Sequence, residues 1–109
     1  MTTLYMVKSN PVAGKEAEFN RWYSEVHLPE VLKIEGFQSA QRFGLTSQQL
    51  QPQSHNYLAV YAIDGNNIDG TLENLRKATW LNLSDAIDMT SIEIGIYQAL
   101  DDPEPSPDG

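Results

Sequence analysis

His27 is the residue best placed to do chemistry. It follows Phe19 by eight residues and Tyr23 by four, so it continues the inward stripe of an amphipathic helix, and Pro29 follows it by two. An imidazole with an ordinary pKa near ~6.5 can take or release a proton around neutral pH. The competing role is a helix cap, with the ring bonded to a free carbonyl or its cation favoured by the helix dipole. Trp22 and Tyr23 belong to the same stripe, either as core bulk or as walls of an apolar pocket for a flat ligand. Tyr5, Tyr57, Tyr61 and Tyr97 fall on predicted strands, where a phenol can pack along its ring and offer a hydroxyl at its tip. Arg42 could hold a substrate carboxylate or enolate, or form an ion pair at the surface or at a dimer interface.

Two other residues carry weaker signals. His55 opens a predicted strand beside a polar loop and is expected to be exposed, with a role at a pocket rim as the alternative. Glu93 stands between isoleucines, as a buried base or as one half of an inter-subunit ion pair. The two histidines are 28 residues apart with no metal-binding spacing, which argues against a metal site. No Gly-rich phosphate loop follows a strand, and no G-x-S-x-G elbow occurs. Any chemistry is therefore expected to need no bound cofactor.

The elements that must position these residues can be read from the pattern. Residues 3–9, TLYMVKS, form a short apolar strand that stops at Asn10-Pro11. Phe19, Trp22, Tyr23 and Val26 recur at helical spacing within 12–27, with charged residues opposite. Pro29 is expected to end or bend that helix, with a short second turn over 30–35 and Gly36 as a left-handed terminator. FQSAQRFG is strand two and HNYLAVYAID strand three. Residues 69–80 make a second helix capped by Asp69 or Thr71, with Leu72, Leu75 and Thr79 or Trp80 inward. LNLSDAID is a loop or an extra turn, and TSIEIGIYQAL is strand four.

The order β-α-β-β-α-β predicts an α+β fold of ferredoxin-like type, a four-stranded antiparallel sheet with two helices on one face. The second face is read as carrying Tyr57, Tyr61, Gly95 and Tyr97, too apolar to be left in water. A second copy is the simplest cover, so a homodimer is expected. Residues 1–100 make one domain. Residues 101–109, DDPEPSPDG, hold four acids and no cation and are expected to be a disordered tail.

Bulk composition removes several classes of function. The net charge is −8, of which the tail supplies four, and the seven Lys and Arg are scattered, so no nucleic-acid surface is expected. There are no cysteines, hence no disulfide or thiolate chemistry. No stretch approaches the ~20 apolar residues of a membrane span and no signal-peptide pattern is present, so a cytoplasmic protein without membrane contact is expected.

The run FNRWYSEVHLPEVLKIEGFQSAQRF, residues 19–43, resembles the EthD-like families of the dimeric α/β-barrel superfamily. It matches their aromatic pair, V-H-x-P and Gly-aromatic pattern at Trp22, Tyr23, His27, Pro29, Gly36, Phe37, Ser39 and Arg42. The resemblance implies a homodimer whose two sheets close into a barrel, with a pocket between helices and sheet in each subunit. It implies relatives that include cofactor-free monooxygenases, polyketide cyclases, isomerases and stress-responsive proteins. Three readings stay open. One is a cofactor-free enzyme moving a proton beside the carbonyl of a small aromatic or polyketide-like compound (cyclisation, isomerisation or decarboxylation). There His27 is catalytic, and Trp22, Tyr23, Tyr5, Tyr61 and Arg42 bind substrate. The others are a cofactor-independent monooxygenase and a non-catalytic small-molecule-binding or stress-related dimer.

Overall fold

The structure, a computed structural model, describes residues 1–108 of the 109. Strands β1 (Thr3–Ser9), β2 (Phe37–Gly44), β3 (Tyr57–Ile63) and β4 (Glu93–Gln98) form one antiparallel sheet in the order β2-β3-β1-β4. The first helical stretch is composite: α1 (Glu16–Trp22), a π-helical turn (Tyr23–His27) and α2 (Leu28–Val31). The second is α3 (Ile68–Lys77), followed by a single 3-10 turn at Met89–Ser91. This is the ferredoxin-like α+β arrangement that the element order predicts.

Burial alternates along the strands as a one-sided cover requires. Thr3, Tyr5, Val7 and Ser9 of β1 and Ala59, Tyr61 and Ile63 of β3 are buried on the helix side. Phe19, fully buried, and Tyr23 descend from the first helix onto them. Tyr5, Phe37 and Tyr61 meet edge to face, with ring centroids 5.6 to 5.9 Å apart.

That alternation corrects the expected face of β3. Tyr57 and Tyr61 point to the helices, because Tyr61 pairs with Tyr5 and Tyr57 with Ser9. The open face instead carries Leu4, Met6 and Lys8, Leu58, Val60 and Ala62, Phe43, and Glu93, Gly95 and Tyr97. It remains apolar, with different residues. A period of two cannot say which of two apolar faces meets the helices.

Pro29 also behaves differently from expectation. The chain stays helical through it, and Leu28 keeps φ −58 and ψ −49. The turn before it is widened: the Leu28 N–H donates to the Tyr23 carbonyl, five residues back. Widening the turn relieves the clash between the pyrrolidine ring and the carbonyl four residues earlier, and the missing N–H is absorbed at the irregularity. Gly36 does terminate the stretch, with φ 102, and a Cβ there would fall 2.0 Å from Thr71 Oγ1 of α3.

Two smaller corrections concern α3. Its cap is Asn67, whose Oδ1 accepts from the Gly70 N–H at 3.1 Å, in place of Asp69 or Thr71. Thr71 is its buried residue, Ala78 is buried just past its end, Leu72 and Leu75 pack on the core as expected, and Thr79 and Trp80 are exposed where one was expected inward. Residues 101–108 carry no helix or strand and are exposed, and Gly109 lies outside the described residues. Among the described residues no helix is long and apolar enough to cross a membrane.

Candidate functional site

Between the composite helix and the sheet lies a cavity of about 170 Å³. Tyr5 and Val7 of β1, Tyr61 of β3 and Ile94 of β4 make its floor. Trp22, Tyr23, His27 and Val31 make one wall, and Leu83, Ser84, Ile87 and Met89 of the segment before β4 make another. Among all the lining residues no side chain carries a fixed charge, and the polar side chains are those of Trp22, His27, Ser84 and the tyrosines.

The π-helical turn sets the position of His27. With i→i+5 spacing, residues five apart come to one side, and the His27 ring stacks on Trp22 at 4.6 Å and 25°. Tyr23 meets it edge-on at 5.2 Å. His27 makes no capping bond, because the helix does not end there, and its Nδ1 is buried with no hydrogen-bond partner among the described residues. Burial lowers its pKa below 6.5, partly opposed by the negative charge of Glu30. The imidazole is neutral at pH 7 and can accept a proton.

The phenols shift the other way. Burial raises Tyr5 and Tyr23, and it pushes Tyr61 far above the ordinary phenol value with help from the neighbouring Tyr23. All three stay protonated at neutral pH and can donate a hydrogen bond.

Of the six residues that the enzyme reading assigns to the site, five, His27, Trp22, Tyr23, Tyr5 and Tyr61, line this one cavity; Tyr57 and Tyr97 do not, nor does Arg42. Its guanidinium donates to Asn20 Oδ1 at 2.7 Å, Ser24 Oγ at 2.9 Å and the Asn20 carbonyl at 3.3 Å, and lies 4.8 Å from the Tyr23 ring centroid. It ties α1 to β2 with no carboxylate partner among the described residues, and burial lowers its pKa.

His55 and Glu93 also depart from expectation. The His55 side chain is only 14% exposed, and its Nε2 lies 2.8 Å from the Ser91 carbonyl and 3.7 Å from Glu93 Oε2. Glu93 is exposed and pairs within its own chain. The two line a second, more polar hollow with Lys8 and Asn56, away from His27. Leu83, Ser84 and Met89 were not read from the sequence as site residues. The faint signal was a leucine exposed between polar neighbours in LNLSDAID.

The fold defines an α+β protein of ferredoxin-like type with a cavity between its helices and its sheet. A crystal structure of an ethyl tert-butyl ether D (EthD) family protein from Bacillus halodurans C-125 superposes with a TM-score of 0.59. It covers 92% of this chain and 100% of that one at 12% identity, which shows the common fold. More particularly, the chain belongs to the family described as domain of unknown function DUF4286, whose profile matches residues 2–69, from β1 into α3. No curated protein matches it.

Proposed function

We propose that this chain is a cofactor-free homodimeric enzyme that moves a proton beside the carbonyl of a small aromatic or polyketide-like compound. The observation that carries this reading is His27: a neutral imidazole with a bare nitrogen, stacked on Trp22 in a cavity walled by apolar and protonated groups. A neutral imidazole is in the right form to take the proton of a carbon acid, and the enolate it creates needs a donor. The Tyr61 and Tyr23 hydroxyls are candidates for that donor, while Trp22 and Tyr5 hold the flat body of the ligand. Arg42 is too engaged with Asn20 and Ser24 to serve there directly.

The test is hydrogen–deuterium exchange at the carbon beside the carbonyl of acetophenone, followed by NMR in D2O. The chain should accelerate it and His27→Ala should abolish the acceleration with the fold intact. Equal rates for the two proteins would overturn the role.

One observation favours a second reading, a dimer that binds a small molecule without turnover. Among the described residues His27 Nδ1 has no acceptor to orient the ring, as a general base usually has. Saturable acetophenone binding without exchange would select it.

The dimer is part of both readings. Leu4, Met6, Leu58, Val60 and Phe43 put a broad apolar surface on the open face. A second sheet laid on it would bury that surface and close a barrel. Val60→Asp, at the middle of the face, should convert a sedimenting dimer to monomer. A wild-type chain that sediments as a monomer at micromolar concentration would refute the barrel.

A further inference from the structure

The wall of the cavity that the sequence did not reveal is the segment joining α3 to β4. Its second half is fastened by backbone: the Val12 N–H donates to the Ala86 carbonyl at 2.7 Å, the Asp88 N–H to the Asn10 carbonyl at 2.9 Å, and Pro11 bridges Ile87. Its first half depends on side chains that converge on Asn82. The Trp22 Nε1–H donates to the Asn82 carbonyl at 2.8 Å. The Asn82 N–H donates to Glu30 Oε1 at 2.8 Å, and its Nδ2 donates to Glu30 Oε2 at 2.6 Å.

The partners of Asn82 both flank His27. Trp22 stacks on the imidazole, and Glu30 sits one turn further along, near enough for its charge to act on that ring. The two residues after Asn82, Leu83 and Ser84, are cavity walls, and Leu83 is 77% exposed to solvent. Glu30 itself does not line the cavity.

We propose that Glu30 is a positioning residue whose carboxylate, through Asn82, latches residues 79–84 across the mouth of the His27 cavity and holds Trp22 against the imidazole. Both carboxylate oxygens are used, one on the backbone and one on the side chain, so the latch fixes the direction of the strap as well as its distance. Release of Asn82 frees Leu83 and Ser84 to swing out and removes the hydrogen bond that sets the indole. The second half of the strap, pinned at Ala86 and Asp88, is the hinge side. This rests on the reading of the cavity as the binding site.

Amide hydrogen exchange on the full chain tests the latch, because donor and acceptor can be exchanged between its two residues. Glu30→Ala removes both acceptors, and Asn82→Asp sets carboxylate against carboxylate. Each should speed exchange of the residue-82 amide and the Trp22 indole about ten-fold, while the Val12 and Asp88 amides hold. The double variant E30Q/N82D restores one donor and one acceptor in reversed order, and protection should return. Bound acetophenone should likewise dissociate about ten-fold faster from E30A and at the original rate from the double variant. Wild-type exchange in both single variants, or no recovery in the double, would overturn the latch. If acetophenone fails to bind the wild type, the ligand reading falls for that compound, and the exchange data still decide the latch.

Discussion

The two histidines sit at opposite ends of the molecule's polar economy. His55 has its hydrogen bonds spent: Nε2 lies on the Ser91 carbonyl, Nδ1 is 3.3 Å from the Ser54 hydroxyl, and Glu93 stands 3.7 Å away. His27 has aromatic rings on two sides and a buried nitrogen with no hydrogen-bond partner among the described residues. A satisfied imidazole locks a loop to a strand. An unsatisfied one in an apolar cavity costs stability and is retained where a proton or a ligand atom can meet it. The difference comes from placement, since the residue type is the same.

The sharpest way to break this comparison is activity. His27→Ala should reduce carbon-acid exchange by roughly 10²- to 10⁴-fold, the usual contribution of a general base, while His55→Ala stays close to wild type. Comparable losses in both would erase the distinction. Next in size is Tyr61→Phe, which removes one enolate donor and should cost on the order of 10²-fold if that phenol faces the oxyanion. The ring is kept, so circular dichroism should be unchanged.

Stability should rank the histidines in reverse. His55→Ala frees Ser91 and should lower unfolding free energy by about 1 kcal/mol in urea titrations. His27→Gln should have a smaller effect at pH 8.

The pH dependence then separates the two states of His27. Its folded pKa lies below the unfolded value, so the folded chain binds the proton less readily. Above pH ~7 both states are neutral and the group contributes nothing to the pH slope. As pH falls through ~6.5 the unfolded chain protonates first and stability drops. The difference in melting temperature between wild type and His27→Gln should therefore move against wild type between pH 7 and 5, and a flat difference would contradict the burial of the ring.

Much of this architecture was legible in local sequence. TLYMVKS and FQSAQRFG carry their own boundaries, and β1 and β2 span those residues. The stripe through Phe19 and Tyr23 pointed to the core side, and it carried His27 and Trp22 to the cavity with it. What escaped depends on contacts far apart in the chain. The π turn answers a clash between Pro29 and its own helix, resolved by widening instead of stopping. The face of β3 is chosen by its pairing with β1. The latch joins residues 52 apart, Glu30 and Asn82, and neither carries a local sign of the other.

The central claim is that His27 belongs to a ligand site, and a titration of both imidazoles by proton–carbon NMR, without and with acetophenone, tests it most directly. The account predicts that the His27 ring titrates below ~6.5 in the free protein and that its resonances and midpoint move when the ketone is added, while the His55 ring resonances do not respond to the ketone. A His27 that ignores the ketone while the protein binds it elsewhere would contradict the account.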